Sequence, residues 1–254
     1  MRAPLTKLAR PSGALAMVAV DQREALRGMF AAHQSTPVPD SQLTQFKVDV
    51  ARELSPFASA LLVDQEFGID EIINQKALKG SCGLIAAADL LVGPAGGAAT
   101  DTAIDLDVDP IRMRDIGSVG LKFLILWRND ESPDSRAKLV EDFNKLCQIS
   151  GLPSIIEIIV KPPTDTSKSF NREEELIIAA KEAANWKPDL YKAEVPFHGE
   201  GDSNLITKNA ERISEAIGSP WVVLSNGVKQ PFFNDAVKAC AMGGASGFLA
   251  GRAV

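Results

Sequence analysis

The sequence predicts an α/β chain closed into a (β/α)8 TIM barrel, and three observations lead to that fold. Apolar runs of strand length alternate with segments of helical spacing along the whole chain. These runs are continuous rather than alternating, as strands covered on both faces are. Eight of them fit into 254 residues, which suits one closed barrel better than an open doubly wound sheet. No G-x-G-x-x-G follows the first run, which argues against a dinucleotide-binding sheet.

Gly13–Asp21 is the first run and ends in an acid. Helical spacing follows over Gln22–Phe30, then a proline-rich loop over Thr36–Asp40, then a helix that Ser41 can cap and that reaches about Glu53. Ala58–Val63 is the second strand, ending in Asp64-Gln65, with a helix near Asp70–Leu78. Cys82–Ala88 is the third and ends in Asp89. The glycine- and alanine-rich stretch Gly93–Ala99 reads as the least regular part of the chain, and Pro110 can open a short helix to Ile116. Leu121–Trp127 is the fourth strand, ending in Arg128, before a helix over Pro133–Ile149. Ser154–Val160 is the fifth, ending in Lys161-Pro162-Pro163, before a helix over Arg172–Asn185. Leu190–Val195 is the sixth, followed by a helix over Asn204–Ile217. Trp221–Leu224 is the seventh, ending in Ser225-Asn226-Gly227, before a helix over Pro231–Met242. Ala245–Ala250 is the eighth and ends in Gly251-Arg252. A single domain over residues 1–254 is expected, with no eighth helix between that strand and Val254.

Composition narrows the function classes. The chain is 45% hydrophobic and 24% charged, enough for a large core, and its net charge of -6 argues against nucleic acid as a main partner. Its three cysteines, Cys82, Cys147 and Cys240, are far apart and form neither a metal-spaced motif nor a disulfide framework. A reducing cytoplasm is the expected location. The apolar run Ala14–Val20 is too short to span a membrane, so no membrane partner is expected. His33 and His198 lie in loops well separated in sequence, which disfavours a zinc site; no metal and no cofactor are expected.

The chemistry-bearing stretch is Asp189-Leu190-Tyr191-Lys192-Ala193-Glu194-Val195-Pro196. Strand side chains alternate in direction, so Lys192 and Glu194 share a face. An ammonium inside a strand is costly unless it is paired or reactive, and a desolvated lysine is what Schiff-base chemistry uses. Glu157 lies inside Ile155-Ile156-Glu157-Ile158-Ile159, and Lys122 precedes an apolar run. Each alone reads equally well as a local ion pair. Together, on strands four, five and six, they converge in one barrel interior, although Lys122 at the start of its strand must reach upward. Strand ends carry the active sites of such barrels, and the loops after strands seven and eight often bind phosphate through backbone N–H groups. Ser225, Asn226, Gly227, Gly251 and Arg252 are the candidates there. The chemistry that fits is aldol cleavage. Lys192 would form the imine, Glu157 would serve as acid–base group and Asp21 would handle the substrate hydroxyl, with Lys122 acting on Lys192 by like-charge repulsion.

Three motifs carry a family resemblance: Ala19-Val20-Asp21-Gln22-Arg23, Leu190-Tyr191-Lys192-Ala193-Glu194 and Gly247-Phe248-Leu249-Ala250-Gly251-Arg252-Ala253. The chain resembles, over nearly its whole length, the class I aldolases of the tagatose-bisphosphate and sulfofructose-phosphate group. Asp21-Gln22-Arg23-Glu24-Ala25, Ser55-Pro56-Phe57-Ala58-Ser59-Ala60, Leu126-Trp127-Arg128 and Ser154-Ile155-Ile156-Glu157 favour the sulfofructose-phosphate branch, which acts in sulfoquinovose breakdown. That resemblance implies cleavage of 6-deoxy-6-sulfofructose 1-phosphate to dihydroxyacetone phosphate and 3-sulfolactaldehyde. It also implies Lys192 as the Schiff-base lysine, with Glu157, Lys122 and Asp21 around it. It places the C1 phosphate at Ser225, Gly227, Gly251 and Arg252, where Asn226 stands in place of an expected small residue. The far anion is expected across the barrel near the first strands, at Gln22 and Arg23, with Arg128 and Lys161 behind. The partner is then a small sugar phosphate, in a homo-oligomer. Two alternatives stay open: a tagatose 1,6-bisphosphate aldolase, and a non-catalytic barrel that senses sugar phosphates.

Overall fold

The computed structural model describes residues 5–253. Eight parallel strands close into a barrel: β1 (Leu15–Ala19), β2 (Ala60–Asp64), β3 (Gly83–Ala87), β6 (Ser118–Trp127), β7 (Ser154–Val160), β8 (Leu190–Glu194), β9 (Trp221–Leu224) and β10 (Gly247–Ala250). The remaining two, β4 (Asp89–Val92) and β5 (Asp101–Ile104), form an antiparallel hairpin outside the barrel. Around the barrel run α1 (Glu24–Ala31), α2 (Asp40–Leu54), α3 (Asp70–Asn74), α4 (Pro110–Asp115), α5 (Pro133–Ser150), α6 (Arg172–Trp186), α7 (Ser203–Ile217) and α8 (Gln230–Met242). The fold expected from the sequence is therefore the one observed. Among the described residues no helix follows β10, and none is long and apolar enough to cross a membrane.

The continuous apolar runs have the reason anticipated for them. One face of each strand packs into the helix layer, where Ile156, Ile158, Tyr191, Ala193, Trp221 and Val223 belong to one large cluster. The other face fills the barrel, where Leu15, Met17, Ala60, Leu62, Ile85, Ile155, Leu190, Val222 and Leu249 form a second cluster closed from below by Leu8. The period of two continues upward along the inward face and changes chemistry. Above Ile155 stands Glu157, above Leu190 stands Lys192, and above Leu62 stands Asp64. The lower barrel is thus a packed apolar plug and the upper barrel a charged layer, at the strand ends where such barrels hold their sites.

One expectation needs correction. Strand β6 begins at Ser118, not Leu121, so Lys122 is mid-strand rather than at its start. In sequence, Gly117 and Gly120 make the segment before Leu121 look like a loop. In the barrel, however, Ser118 and Gly120 pair with β3 at Leu84 and Ile85. The stretch expected to be irregular is the turn of the β4–β5 hairpin. Four-residue strands flanking a Gly/Pro-rich turn carry too little periodicity to be seen in sequence.

Candidate active site

Register brings the central pair together. Glu157 and Lys192 are direct partners across β7 and β8, so both side chains leave the sheet on the same side at the same height. Lys192 Nζ donates to Glu157 Oε2 at 2.9 Å. Lys122 pairs with Ile155, one inward position lower than Glu157, and its long stem carries the ammonium up into the charged layer. There it contacts three carboxylates: Asp21 Oδ2 at 2.5 Å, Asp89 Oδ2 at 2.9 Å and Glu157 Oε2 at 3.2 Å. The upward reach expected of Lys122 is real, and it ends in a cage of acids.

That cage changes the role assigned to Lys122. It lies beside Lys192 but is neutralised by its own carboxylates, so the expected like-charge repulsion is largely cancelled. Burial would lower the Lys122 pKa, but Asp21, Asp89 and Glu157 override it and hold the ammonium well above its ordinary range. Burial would likewise raise the Asp21 carboxyl; Lys122, then Lys192 and Arg23, reverse that and hold it far below the usual carboxylate range. Both groups are kept charged in a place nearly closed to solvent. Lys122 becomes the hub that fixes Asp21 and Glu157 in relation to Lys192.

The cavity above these groups has a volume of about 170 Å³. Asp21, Lys122, Glu157 and Lys192 form its floor, and Gln22, Lys161, Ser225, Asn226, Gly251 and Arg252 its rim. At Gly251 a Cβ would meet Ala19 O at 2.5 Å, so only glycine lets the chain pass this close to β1. Gly251 N donates to Ser225 Oγ at 3.3 Å. Asn226, the departure noted in the sequence, bridges two charged neighbours. Its Nδ2 donates to Glu194 Oε1 at 3.0 Å and its Oδ1 accepts from Arg252 Nη2 at 3.0 Å. Glu194 also accepts from the Val160 backbone N–H at 2.8 Å, so it ties neighbouring strand ends together rather than facing Lys192.

Three of the expected binding residues do not line this cavity. Arg23 is 4% exposed and held inside the charged layer, with Nη1 on Asp89 Oδ1 at 3.3 Å and Asp64 nearby. Arg128 folds back onto Glu131 at 2.7 Å, three residues on. Gly227 packs against the ring of His198, where a Cβ would approach Nδ1 to 2.3 Å. Gln22 does line the cavity, but not across from the β9 and β10 ends. In a closed barrel the first and last strands are neighbours, and β1 pairs with β10. Gln22 Nε2 accordingly lies 3.3 Å from where a Cβ of Gly251 would be. The cation on the far rim is Lys161, after β7, three strands from β10 and four from β1.

Residues that the sequence reading passed over complete the site. Asp89 is fully buried and accepts from Lys122 Nζ and from the Leu124 backbone N–H at 3.0 Å, besides Arg23. It also starts the β4–β5 hairpin, whose Leu91, Ala98 and Ala99 line the cavity. The hairpin tip rests on α1: Gly96 N donates to Glu24 Oε2 at 2.9 Å, and a Cβ on Gly28 would lie 2.0 Å from Gly96 O. An aspartate at a strand end is ordinary turn chemistry in sequence, so Asp89 carried no special signal.

The chain is similar to known aldolases in sequence and in fold. Tagatose 1,6-diphosphate aldolase of Staphylococcus epidermidis is 26% identical over 276 residues, covering 98% of this chain and 83% of that one. Tagatose 1,6-diphosphate aldolase 1 of Enterococcus faecalis is 29% identical over 278 residues, covering 99% and 83%. Among solved structures, a Schiff base forming fructose-1,6-bisphosphate aldolase superposes with a TM-score of 0.64 at 15% identity, covering 98% of this chain and 91% of that one, a likeness of fold. The family model described as DeoC/LacD family aldolase matches residues 15–254, and the chain belongs to that family.

Proposed function

We propose that the protein is a class I aldolase in which Lys192 forms a Schiff base with a ketose 1-phosphate. The observation that carries this reading is the Lys192–Glu157 contact at 2.9 Å, in register and buried on the floor of the cavity. Glu157 takes a proton from the Lys192 ammonium, and the free amine attacks the C2 carbonyl. Glu157 returns the proton to the carbinolamine oxygen, which leaves as water, and a protonated imine remains. Asp21 accepts the C4 hydroxyl proton; the C3–C4 bond breaks, its electron pair passes to the imine, and the aldehyde departs. The enamine left behind is protonated at C3, and hydrolysis returns dihydroxyacetone phosphate and the Lys192 amine. Lys122 supports each step by holding both acids in place.

The C1 phosphate is assigned to Ser225, Asn226, Gly251 and Arg252 with Gln22 beside them, and the C6 anion to the opposite rim at Lys161. The substrate we favour is 6-deoxy-6-sulfofructose 1-phosphate, giving dihydroxyacetone phosphate and 3-sulfolactaldehyde, because the motifs around Asp21, Trp127 and Glu157 resemble that branch. The second reading is tagatose 1,6-bisphosphate. It is supported by the names of the curated relatives at 26% and 29% identity. Both readings take Lys192 as nucleophile.

Borohydride trapping with each sugar phosphate, followed by peptide mass spectrometry, tests the proposal. The expected adduct sits on Lys192 and is lost in Lys192→Ala. Absence of an adduct with any ketose phosphate would overturn the mechanism, and an adduct with the bisphosphate but not the sulfosugar would reverse the order of substrates.

A further inference from the structure

The most deeply buried lysine among the described residues takes no part in the reaction described above. Lys47 lies on α2 at 0% exposure, on the same stripe as Leu43, Val48 and Ala51, which are core positions. An apolar residue would be the ordinary occupant there, since burying an ammonium is costly. Lys47 spends all three of its donors inside the protein. Nζ donates to Val20 O at 2.7 Å, to Gln22 O at 2.7 Å and to the Asp64 carboxylate. The first two acceptors are the carbonyls on either side of Asp21. The stem is closely packed: at Gly68 a Cβ would stand 2.2 Å from Val63 Cγ1 and 3.2 Å from Lys47 Cδ, so the glycine leaves room for both side chains. Burial acts to lower the Lys47 pKa and Asp64 opposes it.

Asp21 is outside the ladder. Strand β1 ends at Ala19, and the Val20 N–H to Leu62 O bond, at 2.9 Å, is the last sheet bond before it. Beyond that bond, Lys47 ties down the carbonyls on both sides of Asp21. Asp64 in turn is fixed by the Phe67 N–H at 2.8 Å and lies 4.0 Å from Arg23.

We infer that Lys47 is a positioning residue for Asp21: its ammonium, seated on Asp64, clamps the Val20 and Gln22 carbonyls and so sets the reach of the Asp21 carboxylate toward the substrate. This rests on the reading of Asp21 as the group that takes the C4 hydroxyl proton. The clamp belongs to the cleavage step alone, because imine formation with dihydroxyacetone phosphate involves no C4 hydroxyl.

The test separates the two steps. Lys47→Met keeps the length of the stem up to Cε and removes the ammonium with its donors. Lys47→Met/Asp64→Asn also removes the charge that the single variant would leave buried. The amide oxygen introduced by Asp64→Asn can still accept from Phe67 N–H, so a folded protein is available even if the single variant is unstable. In the folded variant, borohydride trapping of Lys192 with dihydroxyacetone phosphate is expected within about three-fold of the parent. The kcat of ketose phosphate cleavage is expected to fall about 10- to 100-fold, the scale of a misplaced reacting group, with KM changed far less. Combined with Asp21→Asn, the further loss should be under about three-fold, because the two changes remove the same function. Unchanged kcat in the folded variant, equal loss of trapping and cleavage, or full multiplication with Asp21→Asn would each overturn the role of Lys47. Full cleavage activity in Asp21→Asn by itself would instead overturn the role of Asp21, and the clamp with it.

Discussion

Replacing Lys122 with methionine removes the hub of the charged layer. Lys122 is 1% exposed and holds Asp21, Asp89 and Glu157 at 2.5, 2.9 and 3.2 Å. Methionine matches the stem but leaves Asp21 and Glu157 facing a cavity with Lys192 as their nearest cation, and Asp89 with Arg23. Breaking a buried ionic cluster from one side costs about 3–5 kcal/mol, because an uncompensated charge stays behind. At about 2–4 °C per kcal/mol for a chain of this class, the melting temperature should fall by roughly 6–20 °C at neutral pH. The pH dependence has a definite sign. In the parent the Asp21 pKa lies below its unfolded value of 3.8, so its contribution is complete above that value and is lost as pH falls through the folded pKa. The raised Lys122 contributes fully below its unfolded value of 10.5, so it is constant across the acid range. Without Lys122, burial at Asp21 is opposed only by Lys192 and Arg23, so its pKa is expected to rise toward or above the unfolded value. The folded variant then binds the extra proton and recovers stability on acidification. Urea unfolding followed by tryptophan fluorescence at about pH 7.5 and about pH 4 measures the deficit at each. It should be largest at pH 7.5 and shrink by at least half at pH 4. A deficit equal at both pH values, or below about 1 kcal/mol at pH 7.5, would refute the assignment of Lys122 as the group that neutralises this layer.

Three further outcomes are expected. Glu157→Gln keeps the shape but loses the acid–base group, so kcat should fall about 10²- to 10⁴-fold and the rate of borohydride trapping should fall with it; trapping at the parent rate would assign proton transfer elsewhere. Asn226→Ala releases Arg252 and Glu194 together, and steady-state kinetics should show KM for phosphorylated substrate rising about ten-fold with kcat within about three-fold; a fall in kcat at constant KM would contradict an anion-orienting role. Gly28→Val puts side-chain atoms where Gly96 O now lies, 2.0 Å from the new Cβ. The hairpin tip must lift from α1, so amide exchange across residues 89–104 should accelerate and KM should rise several-fold. Unaltered exchange there would mean that the contact does not hold the hairpin.

The site was legible where chemistry and periodicity coincide. A lysine inside Leu190–Val195 and a glutamate inside Ser154–Val160 conflict with their apolar surroundings, and that conflict marks them in one dimension. Lys47 conflicts as strongly in three dimensions but not in sequence, because a lysine on a helix is usually solvated and nothing in Gln45-Phe46-Lys47-Val48 says which face is buried. Asp89 and Asp64 look like ordinary strand ends. Arg23 was misplaced for a related reason: next to Gln22 it is one residue along the loop, yet only Gln22 lines the cavity, while Arg23 pairs with Asp89. Gln22 lies beside the β10 end rather than across from it for a topological reason, since strands one and eight are distant in sequence and adjacent in a closed barrel.

The sequence by itself determined the alternation of elements, the barrel they form and the lysine–glutamate pair, because burial on two faces and the cost of an unpaired interior charge are both written in residue order. Only the tertiary structure decided which charges neutralise one another, that Lys122 is a hub rather than a repelling neighbour, which rim each cation lies on and that a hairpin lines the cavity. Those facts depend on strand register and closure, which bring together residues from Asp21 to Arg252. No local pattern encodes distances between segments so far apart along the chain.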